Sequence, residues 1–158
     1  GFVYLPGGYP ELYLAALSAN RQMLQSIRRY VESGGKLLAE CGGMMYLCDE
    51  IRDKNGYVYP MAGVLHQSAT MENMKLRLGY RTLLYNETRL KGHEFHYSRL
   101  VEQQNPLPSC AVAYTAKGVE TDTPLYHYKN VWAGYTHLYW ADPVGNEWFT
   151  KFVIDGNT

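Results

Sequence analysis

The sequence is poor in the features that mark several large classes of protein. It carries no excess of charge of either sign, with 15 basic and 15 acidic residues in 158. This balance argues against nucleic acid or an anionic membrane as a partner. No apolar run approaches the roughly 20 residues that a membrane span needs. The three cysteines, Cys41, Cys48 and Cys110, form no C-x-x-C pair, so we expect no disulfide framework and favour a cytoplasmic location.

Strand and helix patterns alternate in the first third of the chain. The apolar runs at 2–5 and 36–40 predict buried strands, and helical spacing of leucine, isoleucine and valine covers 11–33. Asn20 is placed to cap a second helix within that segment. A further helix is predicted from 42 to about 51. This order indicates an α/β fold with a parallel sheet, whose ligands bind at the carboxyl ends of the strands.

The second half is richer in tyrosine, valine and threonine, which favour strands. Its predicted strands lie at 76–85, 93–101, 110–116 and 131–139, and helical periodicity returns only at 144–153. We therefore predict one α/β domain over 1–158, with a largely parallel central sheet flanked by helices and extra strands in the second half. Since the sequence opens inside a strand, without methionine, we expect it to be a piece of a longer polypeptide.

Cys41 lies at the corner between a predicted strand and a predicted helix, in the stretch Ala39-Glu40-Cys41-Gly42-Gly43. A nucleophile elbow has small residues two before and two after the nucleophile, because the sharp turn brings those backbones together. A cysteine at a helix start is also close to N–H groups that favour a thiolate. The alternative is a buried structural cysteine, which does not explain the two glycines. We therefore interpret Cys41 as a nucleophile and Cys48 as a core residue.

A nucleophilic thiol needs a base, and the chain offers five histidines: His66, His93, His96, His127 and His137. His137 ends an apolar strand, where parallel sheets collect functional residues, although a core histidine is an equally good interpretation of its spacing. In GHEFHYS, strand alternation puts Glu94 and His96 on one face and His93 and Phe95 on the other. The i, i+3 pair does not match the i, i+4 spacing of helical zinc motifs, so no metal site is predicted.

The stretch YLPGGYPE supplies a third element. Gly7 and Gly8 follow the first strand and allow backbone N–H groups to turn inward, as an oxyanion hole requires. A plain loop is the alternative interpretation, and the stretch gains weight only from lying beside the predicted Cys41 strand.

Four motifs in order, LPGGYPE, AECGGMMYL, GHEFHYS and YTHLYW, resemble the class I (triad-type) glutamine amidotransferase domain, which has a flavodoxin-like fold. They are most similar to the glutaminase part of the cobalamin-pathway amidotransferases, and AECGGMMYL and EFHYS resemble the cobyrinic acid a,c-diamide synthases in particular. The resemblance covers nearly the whole chain.

The resemblance implies a role for each matching residue. Cys41 would attack the side-chain amide of glutamine, forming a γ-glutamyl thioester and releasing ammonia. His137 would activate the thiol and protonate the leaving amine. The N–H groups of Gly8 and Gly42 would form the oxyanion hole, and His96 would contact glutamine or shape its pocket.

One position departs from the wider class. Many class I enzymes have a glutamate two residues after the histidine, whereas this chain has Tyr139. The cobalamin branch is similar in lacking that acid. Glu94, Glu147 and a backbone carbonyl remain alternatives for orienting His137. Since no fixed partner is evident, we predict weak glutaminase activity without the synthetase partner.

The resemblance also implies partners and cofactors. An N-terminal ATP-dependent synthetase domain would bind ATP, Mg²⁺ and the corrinoid and amidate its a and c carboxylates. No phosphate loop of the form G-x-x-x-x-G-K-[ST] occurs here, so no cofactor is expected on this chain. A homodimer is compatible with the family. The alternatives are a nickel-tetrapyrrole or cell-wall acceptor, or a non-catalytic interaction or sensor domain of the same fold.

Overall fold

The structure is a computed structural model, and it describes residues 1–156. Its α-helices and strands follow in chain order: β1 (Phe2–Leu5), α1 (Leu14–Ala19), α2 (Arg21–Glu32), β2 (Lys36–Glu40), α3 (Gly42–Leu47), β3 (Cys48–Arg52), β4 (Val58–Pro60), β5 (Leu65–Thr70), β6 (Arg77–Tyr85), β7 (Thr88–His96), β8 (Arg99–Leu100), β9 (Val112–Thr115), β10 (Glu120–Thr121), β11 (Leu125–Tyr128), β12 (Val131–Gly134), β13 (His137–Leu138) and α4 (Pro143–Trp148). A 3-10 helix covers Pro10–Leu12, and a π-helical stretch, Phe149–Ile154, follows α4.

The central sheet has the strand order β1-β2-β12-β11. Strands β1, β2 and β12 run parallel, and β11 closes the sheet in the antiparallel direction. The predicted α/β class is therefore confirmed. Because β2 lies between β1 and β12, the segment that follows β2 emerges at the shared carboxyl edge of the parallel strands.

The residues of β2 alternate between two apolar cores. Leu37 and Ala39 pack into a core that also holds buried residues of α2 and α3. Leu38 packs into a second core with Trp132 and Trp148. The central sheet is thus covered on both faces, which explains why its strands are nearly continuous apolar runs.

The extra strands of the second half form mainly a five-stranded antiparallel sheet of order β10-β9-β6-β7-β13. Its last strand, β13, has only two residues and pairs with β7, so that His137 lies opposite His93. This pairing brings the predicted base next to the GHEFHYS segment. A third sheet, of order β4-β3-β5-β8, packs against the first core.

The structure agrees with the predicted helical segment at 11–33 and corrects the one predicted at 42–51. The predicted break at Asn20 is confirmed, since its side chain accepts a hydrogen bond from the Met23 N–H at 3.2 Å. The helix predicted over 42–51 is wrong in its second half, because Cys48–Arg52 forms β3 and pairs with β4 and β5. Cys48 is completely buried, as expected. Pairing with distant strands has overridden the local helical pattern there.

Candidate active site

Cys41 is held in an unusual backbone conformation at the turn from β2 to α3. Its φ of 52° and ψ of −111° lie in a region that residues other than glycine rarely adopt. Such strain persists only where the surrounding structure determines it, and it is concentrated at functional sites. The cysteine N–H is anchored to the Gly134 carbonyl at 2.8 Å, which fixes the turn to β12.

The two glycines after Cys41 are required by close backbone approaches. A Cβ on Gly42 would lie 2.6 Å from the Gly8 carbonyl oxygen, and one on Gly43 would lie 2.8 Å from the Leu5 carbonyl carbon. These distances are shorter than any normal contact, and backbone neighbours cannot swing aside. The glycines therefore allow the turn to sit directly on β1 and the loop that follows it.

The thiol lines a cavity of about 310 Å³ together with the predicted base. The cavity is bounded by two glycines of the first loop, by Cys41 and by aromatic or imidazole side chains, namely Gly7, Gly8, Tyr9, Cys41, His93, Phe95 and His137. Cys41 is only 4% exposed, and its thiol donates to the Phe95 carbonyl oxygen at 3.6 Å. Cys41, His137, Gly7 and Gly8 thus share one cavity, and Gly42 adjoins Cys41 in the turn.

The environment of Cys41 disfavours a thiolate in the unliganded protein. Burial raises the pKa of the thiol to about 11, and although the Gly42 N–H opposes this rise, the carboxylates of Glu11, Glu94 and Glu40 add to it. We expected the helix start to favour the anion, but α3 has only six residues and desolvation has the larger effect. A thiol in this state needs a base at the moment of attack.

His137 is suited to that role by its surroundings. Burial, followed by the charges of His93 and His96, lowers the pKa of the imidazole, which favours the neutral form that accepts a proton. The ring stacks on His93 with centroids 5.0 Å apart and planes 26° apart. It also packs so closely on Gly7 that a Cβ there would lie 3.1 Å from Nε2. Neighbouring backbone and ring therefore restrict the imidazole.

Neither acid considered in the sequence as an orienter of His137 contacts it. Glu94 is fully buried, but it accepts hydrogen bonds from Arg81 at 2.5 Å, Thr123 at 2.6 Å and His96 at 2.9 Å. Burial alone would raise the pKa of Glu94, yet these donors hold it at about 2. Glu147 is exposed on α4 and lines a different cavity.

His96 faces away from the Cys41 cavity. It is buried, its Nδ1 lies 2.8 Å from the Ser98 carbonyl oxygen, and its Nε2 lies 2.9 Å from Glu94. The ring also stacks on Tyr135 with centroids 3.6 Å apart. Both ring nitrogens thus have partners within the protein. His96 and Glu94 line a cavity of about 600 Å³ on the opposite face of β7, where neither Cys41 nor His137 is present.

Three residues take part in the site in ways that the sequence did not predict. Phe95 acts through its carbonyl, which no side-chain pattern reveals. His93 stacks on His137, and its assignment to the face opposite His96 is confirmed by the alternating burial of β7. Glu40 accepts hydrogen bonds from the Leu138 N–H at 2.7 Å and from the Tyr4 hydroxyl. A charged residue ending an apolar strand directly before Cys41 was the signal that could have revealed it.

Within residues 1–156, no three side chains of His, Cys, Asp or Glu come together in a way that could hold a metal ion. Over the same residues, no helix combines the length and apolar character needed to cross a membrane.

Comparison with known proteins gives consistent matches. Residues 1–144 match the model of the CobB/CobQ-like glutamine amidotransferase domain. The chain is 38% identical over 143 residues to hydrogenobyrinate a,c-diamide synthase of Stutzerimonas stutzeri, covering 90% of this chain and 33% of that protein. It is also 38% identical over 145 residues to cobyrinate a,c-diamide synthase of Fusobacterium nucleatum, covering 87% and 31%.

A solved structure supports the fold. The crystal structure of a glutamine amidotransferase matches with a TM-score of 0.59 and 20% identity, covering 95% of this chain and 77% of that one. The chain spans only about a third of the length of the curated relatives it matches.

Proposed function

The chain belongs to the family of CobB/CobQ-like glutamine amidotransferase domains, and from this membership we propose that it hydrolyses glutamine through Cys41 and His137. The supporting observation is that the cysteine of a strained strand-to-helix turn and the histidine of a distant strand line one cavity. A thiol and an imidazole facing the same space are the pair that cysteine-dependent acyl transfer requires.

The proposed reaction follows from these two side chains. His137 takes the thiol proton as the sulfur attacks the amide carbon of glutamine. The N–H groups of Gly8 and Gly42 stabilise the negative charge that develops on the amide oxygen. His137 then passes the proton to the leaving nitrogen, and ammonia departs. Water, activated by the same imidazole, hydrolyses the γ-glutamyl thioester to glutamate and restores the thiol.

We propose that the ammonia serves an amidation carried out by the rest of a longer protein. The relatives are named as a,c-diamide synthases of cobyrinate or hydrogenobyrinate, and the chain matches about a third of each. On this proposal a corrinoid binds to a synthetase part outside this chain, and ATP and Mg²⁺ act there. No step on this chain is assigned to the corrinoid, to ATP or to Mg²⁺.

The experiment measures ammonia release from glutamine by the full-length protein, with and without ATP and cobyrinate. Cys41→Ala and His137→Ala are expected to abolish release, whereas the matched control Cys48→Ala, a buried cysteine outside the cavity, retains it. Labelling by diazo-oxo-norleucine, located by mass spectrometry, is expected at Cys41. Ammonia release by Cys41→Ala would refute the proposal, and failure to label Cys41 would favour a non-catalytic domain.

A further inference from the structure

The chain has no acid two residues after His137, and the acids considered in its place point elsewhere. We infer that Glu40, the residue directly before the proposed nucleophile, is the positioning residue for His137 and acts through the backbone of β13. This inference rests on the proposed function, since it assigns a role in the same reaction.

Within the described residues, strand β13 has one edge without a strand partner. This two-residue strand is the last in its sheet and pairs only with β7. The Tyr139 N–H points toward β7 and donates to the Lys91 carbonyl at 2.9 Å. Because successive N–H groups alternate in direction along a strand, the Leu138 N–H points to the unpaired side. A buried N–H without a partner is costly, and here the partner is the Glu40 carboxylate.

Glu40 is buried between the strands that it connects. Its Oε2 accepts from the Leu138 N–H at 2.7 Å, its Oε1 accepts from the Tyr4 hydroxyl, and the side chain is 2% exposed. Tyr4 belongs to β1, Glu40 to β2 and Leu138 to β13. One carboxylate therefore joins the two strands that form the floor of the site to the strand that carries the imidazole.

Glu40 links the proposed base to the proposed nucleophile. The backbone of Glu40 continues directly into Cys41, whose N–H is held by Gly134 at 2.8 Å. The side chain of the same residue holds the backbone next to His137. Any displacement of β2 therefore moves the thiol and the imidazole together, which preserves their separation.

Burying the Glu40 carboxylate costs desolvation free energy, which an apolar side chain would not. Burial raises the pKa of Glu40, and the hydrogen bonds from Tyr4 and Leu138 oppose that rise. The side chain lies on the face of β2 that carries Leu38, a residue of the second core. Leucine at this position would avoid the desolvation of a carboxylate but would leave the Leu138 N–H without its acceptor. The need for an acceptor of the Leu138 N–H, which holds β13 in place, explains a buried carboxylate at this position.

The experiment compares Glu40→Leu, which removes both acceptor atoms, with Glu40→Gln, which keeps one for the Leu138 N–H. In the full-length protein, Glu40→Leu is expected to lower kcat for ammonia release on the order of 100-fold, the effect of about 1 Å of misplacement, with KM nearly unchanged. Its melting temperature should also fall, because the buried Leu138 N–H loses its partner. Glu40→Gln should restore most of kcat. The control is Glu32→Leu, because Glu32 also accepts from a tyrosine, Tyr128, at 3.0 Å but lies on α2 outside the cavity.

Wild-type kcat in Glu40→Leu, or equal losses in the leucine and glutamine variants, would overturn the inference. If Glu40→Leu does not fold, Tyr4→Phe decides, since loss of one donor should lower kcat at constant KM and an unchanged kcat refutes the role. The Cys41→Ala variant distinguishes a failure of the proposed function from a failure of the inference about Glu40. Activity in that variant refutes the proposed function, whereas its inactivity beside a fully active Glu40→Leu refutes only the role of Glu40.

Discussion

Replacing Gly7 with alanine is expected to impair the reaction by moving His137. A Cβ on Gly7 would overlap with Cε1 of the imidazole and would lie 3.1 Å from Nε2 and 3.3 Å from Nδ1, whereas ordinary contacts begin at 3.4 Å. Gly7 lies in an exposed loop and has no left-handed φ, so alanine introduces no backbone strain. The clash is therefore confined to the ring.

The size of the effect follows from the overlap. Relief of the contact with Cε1 requires the ring or the loop to shift by on the order of 1 Å, and a misplacement of that size costs about 100-fold in rate. This loss corresponds to about 2.7 kcal/mol in the activation free energy. His137 is only half-buried, so the ring can move outward and the free energy of unfolding should change little.

The assay is ammonia release from glutamine by the full-length protein, with kcat and KM determined separately and melting temperature measured alongside. The control is Gly118→Ala, where an added Cβ meets no atom within 4 Å although φ is 79°. That variant should lose some stability and no activity. Wild-type kcat in a folded Gly7→Ala protein would refute the placement of His137 against this loop.

Four further outcomes are expected. Gly43→Ala should lower the free energy of unfolding by about 1–3 kcal/mol in urea titrations, since the new Cβ would meet the Leu5 backbone; an unchanged midpoint would contradict the close turn. Because burial raises the pKa of Cys41 to about 11, alkylation of the free protein by iodoacetamide should rise about tenfold per pH unit up to that pH, and a plateau near neutrality would contradict a buried thiol. Glu94, whose pKa falls from 4.5 to about 2 on folding despite burial, stabilises the protein above its unfolded pKa. Melting temperatures of the wild type should therefore fall as pH drops from 4.5 to 2, more steeply than those of Glu94→Gln. Cys48→Ala should cost about 1 kcal/mol through a small cavity and leave kcat unchanged.

Local patterns in the sequence were sufficient for the elements nearest the site. The apolar run before Cys41 and the two glycines after it predicted a strand-to-helix turn, and β2 and α3 meet there. The order of the four motifs predicted the family, which the match over residues 1–144 confirms. These predictions depend on neighbours along the chain and on motif order, both of which a sequence displays directly.

The end of α3 shows where local patterns fail. Residues 48–51 continue an apolar pattern that suits a helix, but Cys48–Arg52 forms a strand between β4 and β5. The hydrogen bonds that decide this conformation come from β4, which follows after a short turn, and from β5, which lies 17 or more residues further along the chain. A sequence pattern carries no information about which strand is available for pairing.

The sequence by itself determined the nucleophile candidate, the base candidate and the α/β frame, because residue type, spacing and order encode them. Only the tertiary structure decided which acid forms hydrogen bonds with which partner. Glu94 was one of the alternatives for orienting His137, but in the structure it bonds to Arg81 and Thr123, while Glu40 reaches the strand of His137. The physical reason is that a side chain's partners depend on strand register and on which face it occupies, and these are set by pairing between segments that lie far apart in the chain.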